Sequence, residues 1–325
     1  MPENEYDLII VGTGPAGYTA SIYASRYKVK NLLIGESAGG LIGESHKVCN
    51  YPTEDEITGL ELAAKMQRHA KSAGAAEILD RVVEISSFDN GYKVTTQRNG
   101  TFWARAVLLS MGLRHRKLNV PGEKDFSRRG VAYCATCDGA LFYDKTVAVV
   151  GGGDSAISSA VYLSDIAKKV YLIYRKEKLR GEPVWADLAT QRDNIEIIYN
   201  TEVKEIFGDK FVHSIEVDPS YQGRDRLDVD GVFVEIGVEP GNELIKPLGL
   251  STDDAGYIKV GSDQSTNIPG MFAAGDITNA SDQFRQVVTA CSEGAIAARG
   301  VFNYLSKHSV SLDPKLRSKV VTTSK

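Results

Sequence analysis

Cysteine is scarce in this chain, with 4 residues among 325. So few cysteines exclude the class of small secreted domains that several disulfides hold together. Only Cys134 and Cys137 are close to each other in sequence, whereas Cys49 and Cys291 have no neighbouring cysteine. In a reducing compartment a close pair is more often catalytic or metal-binding than structural, so Cys134 and Cys137 are candidate functional residues.

Long apolar runs, a basic N-terminus and a large excess of charge are also absent. No apolar run reaches the roughly 18 residues of a membrane-spanning helix. Residues 1–7 are acidic and lack the basic and apolar regions of a secretory signal. A net charge of −4 gives no general affinity for nucleic acid or for an anionic membrane. We therefore expect a cytoplasmic protein with no nucleic-acid and no membrane partner.

Glycine, in contrast, is plentiful, with 31 residues, and two motifs use it in a dinucleotide-binding pattern. Glycine lets the backbone approach a pyrophosphate, and the helix that follows directs its positive N-terminus at the phosphates. Two such motifs predict two bound dinucleotides. The first is Gly12, Thr13, Gly14, Pro15, Ala16 and Gly17, and the second is Gly151, Gly152, Gly153, Asp154, Ser155 and Ala156.

Each motif lies in a predicted strand–helix–strand unit, and the chain is long enough for two domains. The first unit is predicted over residues 6–11, 15–27 and 31–34, and the second over residues 147–150, 155–166 and 170–174. Strand-like segments 91–97 and 101–110 flank Asn99-Gly100, which predicts a hairpin that we interpret as an excursion off the first lobe.

Breaks in the pattern indicate how the lobes are connected. The Pro121-Gly122 turn marks entry into the second lobe, and breaks over residues 241–250 mark the return. The last segment has an apolar strand that ends at Gly275-Asp276 and a helix over residues 287–304, but no glycine cradle. We expect it to complete the first lobe. The predicted fold class is α/β, with two Rossmann-like dinucleotide-binding domains of the three-layer ββα type, the second inserted in the first.

Basic residues follow the last strand of the second unit. An acidic residue at this position would bind the ribose hydroxyls of NADH, whereas basic residues would bind the extra phosphate of NADPH. The residues found here are basic: Arg175, Lys176 and Arg180. The cluster therefore favours NADPH. The alternative is a solvated basic loop, because Glu177 neutralises part of its charge.

The Cys134-Ala135-Thr136-Cys137 segment can form a small disulfide ring, and Asp138 beside it is suited to move a proton when the disulfide opens. The competing interpretation is half of a zinc site. A structural zinc needs four ligands, and the sequence contains no second Cys-x-x-Cys and no histidine pair, so we predict a redox role and no metal.

This cysteine segment, together with Asp138-Gly139 and the second glycine motif in order, resembles the low-molecular-weight thioredoxin reductases over nearly the whole chain. Further landmarks that resemble the family are Gly39-Gly40, Asn50-Tyr51-Pro52, Gly112, residues 237–240, Gly275-Asp276 and Arg285-Gln286. The resemblance implies an FAD-binding domain of residues 1–116 and 247–325, an inserted NADPH-binding domain of residues 117–246, and a homodimer.

The resemblance also implies roles for individual residues. NADPH would reduce FAD, Cys137 would face the flavin, Asp138 would assist proton transfer, and Cys134 would attack the disulfide of thioredoxin or of a thioredoxin-like or glutaredoxin-like protein. One domain would rotate against the other between steps. Besides the first glycine motif, FAD would be bound by Gly40, Asn50, Gly275, Asp276, Arg285 and Gln286, and NADPH by Gly151, Gly153, Asp154, Ser155, Ala156, Arg175, Lys176 and Arg180.

The chain departs from the family pattern at a few positions. Leu41 replaces the usual Gln, Tyr174 and Lys176 replace His and Arg, and Ser110-Met111 replaces Ala-Thr. Lysine lacks the bidentate fork of arginine, so Lys176 weakens the expected preference for NADPH. Two alternatives stay open. One is a flavoenzyme on the same scaffold that uses a ferredoxin-type donor or oxidises dithiols with oxygen, and the other is a non-enzymatic redox-sensing flavoprotein.

Overall fold

The computed structural model describes residues 4–241 and 243–308, with the side chain of residue 283 left out. The chain divides into two compact units. The first comprises the chain up to Leu113 and again from Pro240, and the second spans Arg114–Glu239. The α/β class and the insertion of the second Rossmann-like unit into the first are as predicted.

The first unit is built on a seven-stranded sheet. Its first six strands and their helices have the following bounds: β1 Glu5–Val11, α1 Pro15–Arg26, β2 Asn31–Gly35, α2 Gly59–Ser72, β3 Ala76–Leu79, β4 Val82–Phe88, β5 Gly91–Thr96 and β6 Thr101–Leu109. The strand order is β3-β2-β1-β6-β5-β4, and the seventh strand, from the end of the chain, also pairs with β6.

The second unit contains a five-stranded parallel sheet and a three-stranded antiparallel sheet. The chain reaches it through β7, Leu113–His115, and leaves through β16, Val238–Pro240. The elements between are β8 Val131–Ala132, α3 Ala135–Asp138, β9 Thr146–Val150, α4 Asp154–Ser164, β10 Lys169–Tyr174, α5 Pro183–Thr190, β11 Ile195–Tyr199, β12 Glu202–Gly208, β13 Val212–Tyr221, β14 Arg224–Asp228 and β15 Gly231–Val234.

After β16 the chain completes the first unit. Strand β17, Met271–Ala273, pairs in parallel with β6, and helix α6, Val287–Lys307, packs against α1. Short 3-10 helices occur at Gly40–Glu44, Gly139–Phe142, Lys246–Leu248 and Ser281–Gln283.

Both central sheets are buried on both faces, because each is covered by helices on one side and by further strands or loops on the other. In β1, Leu8 and Ile10 enter the core shared with α1, α2 and α6, whereas Ile9 and Val11 enter the core on the opposite face. In the second unit, β9 divides its side chains between α4 and the three-stranded sheet of β12, β13 and β14. This is the sheet–sheet–helix layering that the fold class predicts.

The interpretation of the hairpin as an excursion off the first lobe is wrong. The Asn-Gly turn does connect β5 to β6, which pair antiparallel, and Gly100 has a φ of +80°. However, β6 continues as a central strand parallel to β1, with Leu8 opposite Ala106. The turn determines which strands pair locally, but the fully buried run Ala106, Val107, Leu108 and Leu109 places β6 inside the sheet.

Helices α1 and α6 approach each other so closely that only small residues fit between them. A Cβ on Gly294 of α6 would lie 2.2 Å from the carbonyl oxygen of Ala16 in α1. The Ala16 carbonyl is part of the α1 backbone and cannot move without the helix. A residue larger than glycine at position 294 must therefore push the two helices apart.

We therefore expect Gly294→Ala to lower the free energy of unfolding by about 1 to 3 kcal/mol, the usual cost of overpacking. The control is Ser292→Ala, an exposed position in the same helix, which should have almost no effect. Urea unfolding of both variants measures the difference. Equal stability of Gly294→Ala and wild type would show that the helices can separate without cost.

Candidate functional site

The first glycine motif forms a tight turn, the first cradle, at the end of β1, where the backbone packs too closely for side chains. Gly12 has a φ of +120°, and a Cβ there would lie 2.2 Å from the carbonyl oxygen of Ser110. A Cβ on Gly17 would lie 2.0 Å from the carbonyl oxygen of Gly12. Neither position admits another residue, and α1 begins directly after the turn at Pro15. The turn therefore leads directly into the N-terminus of α1, and the N–H groups at a helix N-terminus favour a bound phosphate.

Gly40 lies beside this cradle. The Gly39 N–H donates to the Thr13 carbonyl over 2.8 Å, and the Thr13 hydroxyl donates to the Ser37 carbonyl over 2.7 Å. A Cβ on Gly40 would be 3.6 Å from the Cα of Gly14. The segment after β2 is therefore held against the glycine turn by Thr13, whose side-chain role the motif alone does not indicate.

The Gly275-Asp276 turn after β17 also reaches the cradle. Gly275 has a φ of +80°, and a Cβ there would lie 2.9 Å from the Cβ of Ala16. Burial raises the pKa of the neighbouring Asp276 to about 6, the Arg285 guanidinium opposes this shift, and the Glu293 carboxylate adds to it. The guanidinium of Arg285 lies over the ring of Tyr257, 4.6 Å from its centroid.

Asn50 and Gln286 are brought together at the start of α6. The Asn50 side-chain amide donates to the Gln286 side-chain oxygen over 3.0 Å, although the two residues are 236 positions apart. Gln286 also caps α6, with its backbone N–H donating to the Thr289 hydroxyl over 3.1 Å. In the first unit Gly40 and Gly275 thus lie beside the start of α1, and Asn50 contacts Gln286 at the start of α6.

The second glycine motif forms a similar cradle in the second unit. Gly151 has a φ of +149°, and a Cβ there would lie 2.2 Å from the carbonyl oxygen of Glu235. A Cβ on Gly152 would lie 2.4 Å from the ring of Tyr174, which packs directly against the turn. Gly153 has open space in place of a side chain, and α4 begins at Asp154.

The basic segment after β10 is tied to this cradle by backbone groups. The Arg180 N–H donates to the Gly152 carbonyl over 2.7 Å, and the Glu182 N–H donates to the Asp154 carboxylate over 2.6 Å. Arg175, Lys176 and Arg180 have exposed side chains. The predicted phosphate ligands therefore lie next to the predicted pyrophosphate cradle, with their charged ends in solvent.

Cys134 and Cys137 form a disulfide, with their Cα atoms 5.4 Å apart. Because the two sulfurs are bonded to each other, the zinc half-site interpretation does not apply to them. Cys134 caps α3, and its Sγ accepts the backbone N–H of Cys137 over 3.0 Å. Cys134 is buried, Cys137 is exposed and Asp138 is half-buried.

The disulfide and the second cradle lie near opposite ends of α4. Gly139, directly after α3, faces Tyr162 and Leu163 in the last turn of α4, with a would-be Cβ 3.1 Å from each side chain. The cradle contacts the first turn of the same helix. An 11-residue helix is about 16 Å long, so a phosphate in the cradle is far from the sulfurs.

Sequence reasoning missed several residues that organise these sites. Glu293 is buried in α6 and accepts hydrogen bonds from the Gly275–Ser281 region, and the Ser110 hydroxyl lies 3.2 Å from the Val11 carbonyl oxygen, to which it donates. Glu293 could have been noticed in the sequence, because this charged residue lies on the apolar stripe of its helix between Ala290 and Ala297.

Over residues 4–241 and 243–308, no helix is long and apolar enough to cross a membrane.

The raised pKa of Asp276 predicts a pH dependence. Since this carboxyl binds its proton more strongly in the folded apoprotein than at its ordinary pKa of 3.8, the free energy of unfolding should fall as the pH rises from about 4 to 6. Asp276→Asn removes this contribution. Above pH 6 the variant apoprotein should be more stable than wild type by on the order of 2 kcal/mol.

Urea unfolding of both apoproteins between pH 4 and 8 measures this difference. Asp254→Asn, which removes an exposed carboxylate of the same unit, serves as a control for the loss of one charge. A constant difference between wild type and Asp276→Asn across this pH range would contradict the assignment.

Comparison with known proteins places these sites in a family. The model of the pyridine nucleotide-disulphide oxidoreductases matches residues 6–294. The thioredoxin reductase of Listeria innocua is 39% identical over 314 residues, which cover 96% of this chain and 97% of that protein. The solved thioredoxin reductase of Lactococcus lactis matches with a TM-score of 0.87 and 35% identity, over 93% of this chain and 99% of that chain.

A second solved structure, the thioredoxin reductase of T. acidophilum, matches with a TM-score of 0.85 and 34% identity, over 95% of this chain and 100% of that chain. These matches extend across both glycine cradles and the disulfide between them in sequence. The chain therefore belongs to the thioredoxin reductases, within the pyridine nucleotide-disulphide oxidoreductase family.

Proposed function

We propose that this protein reduces the disulfide of thioredoxin, or of a thioredoxin-like or glutaredoxin-like protein, with electrons from NADPH. The observation that carries the proposal is the Cys134–Cys137 disulfide in a chain with two dinucleotide cradles and full-length similarity to thioredoxin reductases. The reaction balances as one NADPH and one proton consumed for each substrate disulfide converted to two thiols. The similarity to thioredoxin reductases supports a cytoplasmic location.

The first cradle fits FAD. Gly12 and Gly17 let the Ser110 and Gly12 carbonyls pack directly against the turn, a Cβ on Gly14 would meet only the Gly39 carbonyl oxygen at 3.8 Å, and the 12-residue helix α1 starts at the cradle. Gly14 and Gly40 would line the pyrophosphate, Asp276 would bind the ribityl or phosphate region, and Asn50, Arg285 and Gln286 would lie near the flavin. When bound, FAD supplies the isoalloxazine that accepts a hydride from NADPH and transfers two electrons to a disulfide.

The start of α6 would contribute to the same site. Gln286 and Asn50 hold each other at the N-terminal end of this 21-residue helix. A helix N-terminus carries a partial positive charge that stabilises a neighbouring anion. A reduced flavin is anionic, so this placement would favour its formation.

The second cradle fits NADPH. Gly151, Gly153, Ser155 and Ala156 would hold the pyrophosphate, and Asp154 anchors the basic segment through Glu182. Arg175, Lys176 and Arg180 would bind the 2′-phosphate that distinguishes NADPH from NADH. Their exposure leaves them free to contact a phosphate in solvent.

Cys134 would be the thiol that attacks the substrate. The N–H of Cys137 points at the Cys134 sulfur, and this hydrogen bond favours negative charge on Sγ once the disulfide is reduced. Cys137 would be the cysteine that receives electrons from the flavin, and Asp138, next in sequence, would carry the proton that is moved when the disulfide opens. Because Cys134 is buried, attack on a protein disulfide requires a rearrangement that uncovers it.

Two exposed apolar surfaces suit the proposed partners. Leu141 and Tyr143 are 70% and 78% exposed and follow the disulfide within six residues of Cys137, where a thioredoxin would dock. On the first unit, Tyr23 of α1 and Phe302 of α6 are partly exposed, and Tyr27 stacks on Phe302 with ring centroids 4.9 Å apart. This second surface supports the homodimer.

The phosphate assignment predicts a change in nucleotide specificity. Arg175→Gln or Arg180→Gln removes a charge-assisted hydrogen bond, so the KM for NADPH should rise by roughly tenfold or more while that for NADH stays constant. Lys178→Gln is the matched control, since Lys178 is exposed on the same segment but has no assigned role. Steady-state kinetics with both nucleotides measures the ratio, and equal rises for NADPH and NADH would refute the assignment.

The division of roles between the cysteines predicts the behaviour of Cys134→Ser. This variant should lose turnover with thioredoxin, by a factor of roughly 10³ or more, because the attacking thiolate is missing. Anaerobic reduction of its flavin by NADPH should persist at a rate close to that of wild type. Cys49→Ser, which changes an exposed free cysteine, is the control and should keep both activities. Loss of flavin reduction in Cys134→Ser would contradict the division of roles.

A further inference from the structure

Glu293 is a buried carboxylate on an otherwise small and apolar helix face. Its residue is 5% exposed, and Ala290, Gly294 and Ala297 beside it are buried against the core of the first unit. Burying a charge without partners costs far more than a folded domain can tolerate, so a buried carboxylate must accept several hydrogen bonds. The groups that donate hydrogen bonds to Glu293 therefore indicate its role in the structure.

Gly275, Thr278 and Ser281, which contact the Glu293 carboxylate, all belong to the segment that follows β17. The Gly275 N–H donates to Oε2 over 2.8 Å, and the Thr278 hydroxyl lies 3.0 Å from the same oxygen. The Ser281 hydroxyl donates to Oε1 over 2.7 Å. Both oxygens are used, and they hold the beginning and the end of the same seven-residue turn, 275–281.

This turn lies against the first turn of α1. A Cβ on Gly275 would be 2.9 Å from the Cβ of Ala16, and a Cβ on Gly294, the neighbour of Glu293, would be 2.2 Å from the Ala16 carbonyl oxygen. Glu293 thus sits where α6, the turn and the glycine cradle meet. Asp276, between the two anchoring points, is the residue to which the proposed function gives an FAD contact.

We propose that Glu293 is a positioning residue for FAD: its carboxylate fixes turn 275–281 against the start of α1 and so holds Asp276 in place for the cofactor. This inference rests on the proposed function, because it takes the first cradle to be the FAD site. Glu293 itself needs no contact with FAD. It acts through the Gly275 N–H and the hydroxyls of Thr278 and Ser281.

The carboxylate accepts from the Gly275 N–H with one oxygen and from the Ser281 hydroxyl with the other, and its charge strengthens both hydrogen bonds. A glutamine has the same size but no charge, and with its amide oxygen on Gly275 its NH₂ group would oblige the Ser281 hydroxyl to accept instead of donate. If Glu293 positions the turn, Glu293→Gln should weaken FAD binding. If the carboxylate acted only through its charge, its removal should strengthen FAD binding, because it would repel the negative pyrophosphate of FAD. The sign of the change therefore distinguishes positioning from repulsion.

The experiment compares Glu293→Gln with wild type and with Asp282→Asn, which removes an exposed carboxylate from the adjoining loop. FAD is titrated into each apoprotein, and its dissociation constant is measured from flavin fluorescence. We expect the dissociation constant of Glu293→Gln to rise by at least about tenfold, as for the loss of a hydrogen bond to a charged group. Asp282→Asn should stay within about twofold of wild type, or bind FAD slightly more tightly.

Two further readouts separate this role from simple stabilisation of the fold. At saturating FAD, Glu293→Gln should regain most of its NADPH-dependent turnover with thioredoxin. A combination with Thr278→Val should also be non-additive in the FAD dissociation constant, because both changes break the same anchor. A lower unfolding midpoint of apo Glu293→Gln with an unchanged FAD dissociation constant would overturn the proposal, as would tighter FAD binding.

If Glu293→Gln does not fold, Ser281→Ala provides the test. It removes one donor from the solvent side of the anchor and should raise the FAD dissociation constant by about threefold, whereas no change would overturn the proposal. Failure of the proposed function has a different signature. In that case wild type itself would not bind FAD or would not reduce thioredoxin, whatever the behaviour of the variants.

Discussion

The first turn of α1 is the point on which the first unit depends, because other backbone segments approach it too closely for any side chain between them. The Ser110 carbonyl closes on Gly12, the Gly12 carbonyl on Gly17, and the Ala16 carbonyl on Gly294. Each contact leaves less than 2.3 Å for a Cβ. This packing holds the first turn of α1 against α6 at Gly294, the eighth residue of α6. The cradle is therefore a consequence of backbone packing, and the side chains around it only fix its rim.

The second unit uses the same device with less enclosure. Gly151 is pressed against the Glu235 carbonyl, and Gly152 against the ring of Tyr174, but Gly153 faces open space. Its rim is a basic segment that backbone hydrogen bonds hold to the cradle. These differences suit the proposed roles. A resident cofactor benefits from an enclosed site whose turn is anchored by Glu293, whereas a substrate nucleotide must enter and leave at each turnover.

Local features of both cradles could be predicted from the sequence, because they depend on residues close together in the chain. The glycines, the strands before them, the helices after them and the Cys-x-x-Cys pair all lie at the predicted positions. The central position of β6 in the sheet could not be predicted, because the Asn-Gly turn specifies that β5 pairs with β6 but not that β6 also pairs with β1. The anchoring of turn 275–281 by Glu293 joins residues 12 to 18 positions apart in different elements, and only the folded chain brings them together. The exposure of Cys137 and the burial of Cys134 likewise depend on how α3 packs, and a symmetrical motif does not indicate it.

The central claim is that nicotinamide, flavin and the Cys134–Cys137 disulfide form one electron path. Anaerobic titration of the FAD-loaded protein with NADPH, followed by flavin absorbance and thiol counting, tests it most directly. The disulfide and the flavin each accept two electrons, so we expect about two equivalents of NADPH per chain for full reduction, with two new thiols. Bleaching of the flavin by about one equivalent with no new thiols would show that the disulfide is not connected to the flavin, and no bleaching would show that the second cradle does not deliver electrons from NADPH.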